Sequence, residues 1–169
     1  MEKDFLEIDR IEFQKMEQMD YFSLVKYLNE KYGPVRGTYF VNENCATKNK
    51  KIVRSKEALQ IHHVGEYEIP NLSYKEVAQQ SPWSEQQGDR LVYCNLLEHT
   101  LLHVLIDEEQ QKQSLYFLAM VQLINDILND YPFKQEHHRV MSKQLNQHKE
   151  LFVRSYDRVG LSALLKINK

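Results

Sequence analysis

Apolar residues recur at mostly helical spacing from Asp4 to about Lys31, through Phe5, Ile8, Ile11, Phe13, Met16, Met19, Phe22, Val25 and Leu28. This predicts one long helix or two shorter ones. Gly33-Pro34 closes the pattern, because Pro lacks a backbone donor and Gly tolerates the left-handed conformation that often follows a helix. From there to Glu57 the reading is irregular, with one short strand at Thr38–Val41. Ala58–Val64 (ALQIHHV) predicts a strand, a long polar connection with Pro70, Pro82 and Gly88 follows, and Arg90–Cys94 (RLVYC) predicts a second strand. Leu96 to about Glu109 has no Pro or Gly and is long enough for a helix, with Asn95 as its N-cap. Ser114–Asn129 reads as a buried helix opened by a serine cap and closed by Tyr131-Pro132. Phe133–Lys166 reads as one or two amphipathic helices with Gly160 as a break. The aromatic residues Tyr21, Phe22, Tyr27, Tyr116 and Phe117 belong to these apolar patterns and read as core.

The expected fold is therefore α+β and mainly helical: a strand–loop–strand–helix unit of about residues 58–110 embedded in one helical domain spanning 1–169. Helices over 4–33 and 114–167 flank it. A chain of 169 residues that is 42% hydrophobic suits one core. Nine Gly and Pro together and 27% charged residues argue against a disordered or fibrous chain. No run approaches the roughly 18 apolar residues of a membrane span, and MEKDFLEIDR is too acidic for a secretory signal, so a soluble, cytoplasmic protein without membrane association is expected. Cys45 and Cys94 lie outside any C-x-x-C pair and read as reduced thiols.

The formal net charge of −2 hides a segregation. The sum is positive over residues 34–64 and 134–169 and negative over 1–33 and 65–133. Charge acts over about 10 Å at moderate salt, so local basic regions can hold phosphates on an acidic molecule. The densest is TKNKKIVRSK, with Lys48, Lys50, Lys51, Arg54 and Lys56 and no carboxylate. It reads either as a solvated lysine-protected edge or as a nucleic-acid grip, which Arg139, Lys143, Lys149, Arg154 and Arg158 would extend if they share a face.

Four of the seven histidines fall in the strand–loop–strand–helix unit. His99 and His103 are four apart on a predicted helix, so they share a face and can clasp one divalent ion. The metalloprotease signature H-E-x-x-H is absent, since Thr100 follows His99. A third ligand from the pair His62-His63 would leave positions for water or phosphate and the neighbouring imidazole as a base. Successive strand residues face opposite sides, so the pair must sit at a strand end to serve one site. Glu66, Glu68 and Glu98 lie close by and would repel phosphate, or one of them would orient a ligand imidazole. His137-His138, on a predicted helix, read as solvent-facing.

The stretch L-Q-I-H-H-V, followed after a loop by D-R-L-V-Y-C-N-L-L-E-H-T-L-L-H, resembles the HNH (ββα-metal) nuclease motif in its colicin-like His-His…His-x3-His form, over Ala58 to about Ile106. The resemblance implies His62, His99 and His103 as metal ligands, His63 as general base, and hydrolysis of a DNA phosphodiester with a divalent ion (Zn, Ni, Mn or Mg). DNA is favoured over RNA. The family's Asn nine positions before the first helical ligand, which tethers the loop that positions the base, is here Arg90; Asp89 beside it and Asn95 at another register are candidates for the tether, and Arg90 for clamping phosphate. Some 26 residues separate His63 from Arg90, a long insertion that includes Trp83 and a helical turn around Tyr74–Gln80. The alternative is a non-catalytic HNH scaffold that binds DNA or a partner protein, and the C-terminal helices suit either a DNA grip or a homodimer interface.

Overall fold

Two aspartates set the N-terminal helices. Asp9 caps α1 (Arg10–Met16) by accepting from the N–H groups of Ile11 and Glu12, and Asp20 caps α2 (Tyr21–Tyr32) through Ser23 N–H at 2.8 Å. The helical pattern is thus two helices, because the Asp20 carboxylate satisfies donors that a continuous helix would have bonded internally. The computed structural model describes residues 8–112 and 116–167, so the expected start at Asp4, the serine cap at Ser114 and the side chains of Tyr116 and Phe117 lie outside the described residues. Helix α2 ends at Gly33, whose φ of 80° is the left-handed value the sequence anticipates.

The expected strand at Thr38–Val41 is a single bridge, Phe40 to Lys48. The segment folds back on its own continuation instead, with Val41 N–H donating to Thr47 and Asn49 N–H to Tyr39. The two strands of the central unit form as expected but shorter. Strand β1 is Gln60–His63 and β2 is Leu91–Cys94, antiparallel, with His62 opposite Val92 and His63 opposite Leu91. Ala58 takes a left-handed backbone and Val64 begins a 3-10 turn, which trims β1 at both ends. The connection carries α3 (Lys75–Ala78) and short 3-10 turns at Trp83–Gln86 and Gly88–Arg90.

Helix α4 (Leu96–Gln110) follows β2 directly. Asn95 accepts from Glu98 N–H while the Glu98 carboxylate accepts from Asn95 N–H, a complete capping box. Nearly every residue of α4 from Leu96 to Asp107 is buried, so its pattern is apolar on all sides and it forms the axis of the core. Helix α2 packs on β2 and α4, and α5 (Tyr116–Leu128) and α7 (Lys149–Arg158) pack on α4 as well, with α6 (Glu136–Leu145) against α5. The C-terminal stretch is two helices joined by a 3-10 turn at Asn146–His148, and Gly160 takes a left-handed φ just past α7. The apolar face of α7, with Leu151, Phe152 and Tyr156, is buried within the chain.

This is a mainly helical α+β fold built on one two-stranded sheet among the described residues. Both cysteines are buried and free. No helix among the described residues is long and apolar enough to cross a membrane.

Candidate metal centre

The ββα unit brings His62, His99 and His103 together. The three rings stand 5.0–5.1 Å apart, centroid to centroid. Glu66 joins them from the 3-10 turn after β1, and one donor atom from each of the four lies within 4.8 Å of all the others. The Glu66 Oε2 atom is 3.6 Å from His62 Nδ1 and 3.3 Å from His103 Nε2. Ligand atoms around a tetrahedral zinc are roughly 3.3–3.6 Å apart, given bonds of about 2.0–2.2 Å. Two edges of the group already match.

Surrounding polar groups set which nitrogen of His62 and of His99 faces the centre. The Tyr21 hydroxyl donates its single proton to Val64 O at 3.0 Å, so at 2.8 Å it accepts from His62 Nε2–H. That leaves Nδ1 as the lone-pair atom of His62, and this nitrogen is fully buried with no hydrogen-bond partner. At His99 the Gln60 Oε1 atom lies 2.8 Å from Nδ1 and accepts its proton, so Nε2 is the coordinating atom. Both are the outer-shell pattern of metal-ligating histidines, with a hydroxyl and an amide in place of the usual carboxylate or carbonyl.

Charge agrees with this arrangement. Burial drives the His62 imidazole well below the ordinary value for histidine, helped by its imidazole neighbours. Burial pushes His99 and His103 down to about 3. All three are therefore neutral at pH 7, as metal ligation would require, and the Glu66 contacts are not ion pairs with imidazolium. Burial raises the Glu66 carboxyl, with His63, His99 and then the backbone N–H groups of Ser73 and Leu72 opposing it in part. A buried acid beside three lone pairs fits a divalent cation, which would supply the missing positive charge.

His63 stands apart from this group. It sits at the very end of β1, where the imidazole is 1% exposed, its Nε2 lies 2.9 Å from Gln86 Oε1, and the Tyr39 ring packs edge-on at 4.4 Å. Lys48, which donates to the Tyr39 hydroxyl at 3.0 Å, and Glu66 are the charged groups that act on it. Burial lowers the His63 value.

The other predicted residues divide. Arg90 pairs with Glu85 at 3.1 Å, and Asp89 lines a surface groove with Phe22, Lys26 and Pro34; neither joins the histidine group. The Asn95 side chain caps α4 rather than tethering the loop after β1. Lys48, Lys50, Lys51 and Lys56 are exposed, whereas Arg54 bonds Glu57 and Tyr32 O and stacks over Tyr93. At the C-terminus, Arg154 clamps Glu17 and Arg158 clamps Glu108, so these two arginines staple α7 to the helical body instead of extending a phosphate surface. Glu98 is engaged by its own cap, Lys31 and Tyr32, and Glu68 is exposed.

Sequence reasoning did not assign roles to Tyr21 and Gln86. Tyr21 sits on a core stripe and nothing local marks its hydroxyl, while Gln86 lies in the long insertion. Glu66 carried a signal, being four residues after His62. No family model, curated protein or solved structure matches this chain.

Proposed function

We propose that this chain is a metal-dependent endonuclease of HNH type that hydrolyses DNA phosphodiester bonds. The observation that carries the reading is the convergence of His62, His99 and His103 on one buried centre from a β1–β2–α4 unit, with the adjacent His63 held outside it. Glu66 adds a fourth donor. A divalent ion held by these residues would oppose the negative charge that builds on the phosphate in the transition state. Three imidazoles favour a transition metal over Mg²⁺.

The chain's own groups perform the rest. His63 takes one proton from the attacking water as the water oxygen bonds to phosphorus and the P–O3′ bond breaks, leaving a 5′-phosphate and a 3′ oxygen that takes a proton from solvent to become a hydroxyl. Lys48, beside Tyr39 and His63, together with Lys50, Lys51 and Lys56 contacts phosphate along the strand, with little sequence information in those contacts. Tyr21 and Gln60 orient His62 and His99.

Glu66 favours a second reading. Four protein donors close a tetrahedral site, as in structural zinc centres, and would make this an HNH scaffold that holds metal and binds DNA or a partner without cutting. Incubation with supercoiled plasmid and Mg²⁺, Mn²⁺, Ni²⁺ or Zn²⁺, with metal content measured in parallel, separates the two. The nuclease nicks plasmid, and His63→Ala slows nicking by roughly 10²–10⁴-fold at unchanged metal content. Full metal occupancy without cleavage in any metal establishes the scaffold instead. The same assay on RNA tests the choice of polymer.

A further inference from the structure

The Asn that tethers the base-bearing loop in the resembled motif is absent here, and the residue at its position, Arg90, is engaged with Glu85. The structure places another amide against the base. Gln86 closes the 3-10 turn Trp83–Gln86 and is completely buried. Its Nε2 donates to Leu72 O at 3.2 Å, and its Oε1 is 2.9 Å from His63 Nε2.

These two contacts fix the amide. Rotating it by half a turn would set Oε1 against the Leu72 carbonyl, two acceptors without a proton between them in a dry site, and a buried unsatisfied acceptor costs about 1–3 kcal/mol. The carbonyl oxygen therefore faces His63. An amide oxygen only accepts, so His63 Nε2 must carry the proton, and a neutral imidazole has only one. The remaining nitrogen, Nδ1, makes no hydrogen bond among the described residues. The backbone reinforces this placement: Gln86 O accepts from Tyr39 N–H at 2.8 Å, and Tyr39 forms the ring wall against His63. One residue thus anchors the acceptor and the packing partner of the same imidazole.

We propose that Gln86 is a positioning residue that locks His63 in the Nε2–H tautomer and presents Nδ1 as its proton-accepting atom. The use of that atom rests on the endonuclease reading above; the tautomer does not. Gln86 thereby fills the orienting role that the motif's Asn leaves open, from the insertion between the strands.

The test reads tautomer and turnover separately. Long-range ¹⁵N–¹H spectra of the histidine-labelled full chain, with His63 identified by its loss in His63→Ala, show a protonated Nε2 and an unprotonated Nδ1. In Gln86→Leu, which keeps the volume and removes the acceptor, His63 populates both tautomers. Plasmid nicking then loses roughly 10²-fold in kcat, the scale of a misplaced reacting group, with KM within about twofold and metal content unchanged. Gln86→Glu, protonated on the oxygen that faces Leu72 O, keeps both the donor and the acceptor and shows the Nε2–H signature. A wild-type His63 protonated at Nδ1 overturns the inference, and needs no variant to be read. So does Gln86→Leu with unaltered tautomer and kcat. A wild-type chain that never cuts but shows the Nε2–H signature sinks the nuclease reading and leaves the Gln86 lock standing.

Discussion

Removing the hydroxyl of Tyr21 tests whether the histidine group is assembled for metal. Tyr21→Phe keeps the ring, which stacks on Tyr67 at 4.9 Å and packs edge-on against His62, so apolar packing hardly changes. What disappears is one donor to Val64 O and one acceptor from His62 Nε2–H, both in fully enclosed surroundings. Each stranded group costs about 1–3 kcal/mol, so the two together cost roughly 2–6 kcal/mol before any relaxation. His62 has a way to relax: its proton moves to Nδ1, where Glu66 stands 3.6 Å away as an acceptor. That relief recovers stability but occupies the nitrogen meant for the ion. The expected result is a variant that unfolds at lower urea concentration in chelator and binds zinc about 10–100-fold more weakly, the usual effect of losing an outer-shell partner. Urea titration in chelator and competition with a chromophoric zinc chelator measure the two quantities. A Tyr21→Phe chain within about 0.5 kcal/mol of wild type and with the same zinc affinity would refute the tautomer argument.

Acid should destabilise the metal-free chain. His99 and His103 are held near 3 when folded and return to about 6.5 when unfolded, so below pH 6.5 the unfolded chain binds more protons. Their neutral-form stability is complete above pH 6.5 and is lost progressively as pH falls, by up to about 2 kcal/mol per imidazole at pH 5. His62 acts in the same direction, and the raised Glu66 carboxyl opposes them as a single group. Equal urea midpoints at pH 7 and 5 in chelator would contradict this. His103→Ala removes one of the two helical imidazoles proposed to hold the ion; the rise in melting temperature that zinc gives the wild type should vanish, and an undiminished rise would place the ion elsewhere. Gly88→Ala puts a Cβ 2.1 Å from the Val35 carbonyl oxygen, so the backbone must move and about 1–3 kcal/mol is lost, readable as a lower urea midpoint. An unchanged midpoint would show that this contact yields freely.

Local chemistry made much of this molecule legible in its sequence. The Asn95 cap and the unbroken apolar run marked α4, the i, i+4 spacing placed His99 and His103 on one face, and Gly33-Pro34 ended α2 where the pattern said. The sequence required a strand end for His62 and His63 to serve one site; β1 does end at His63, but only His62 joins the histidine group while His63 meets Gln86. What stayed hidden depends on distance along the chain. Tyr21 reaches His62 across 41 residues and Gln86 reaches His63 across 23, and neither residue type announces such a contact. Arg154 and Arg158 read as free positive charge because their partners, Glu17 and Glu108, lie 137 and 50 residues away. Thr38–Val41 has strand-like residues, but Val41 N–H bonds Thr47 in the adjacent loop and Tyr39 N–H bonds Gln86 far along the chain, so a single bridge is all that forms.

Because a tyrosine of α2 completes His62, the β1–β2–α4 segment is not a portable cassette, even though Gln86 travels inside it. Cut out, or grafted into another host, it would bring its histidines and that glutamine but leave behind the hydroxyl that decides which nitrogen of His62 is bare. Any transplant would have to carry α2 along with it.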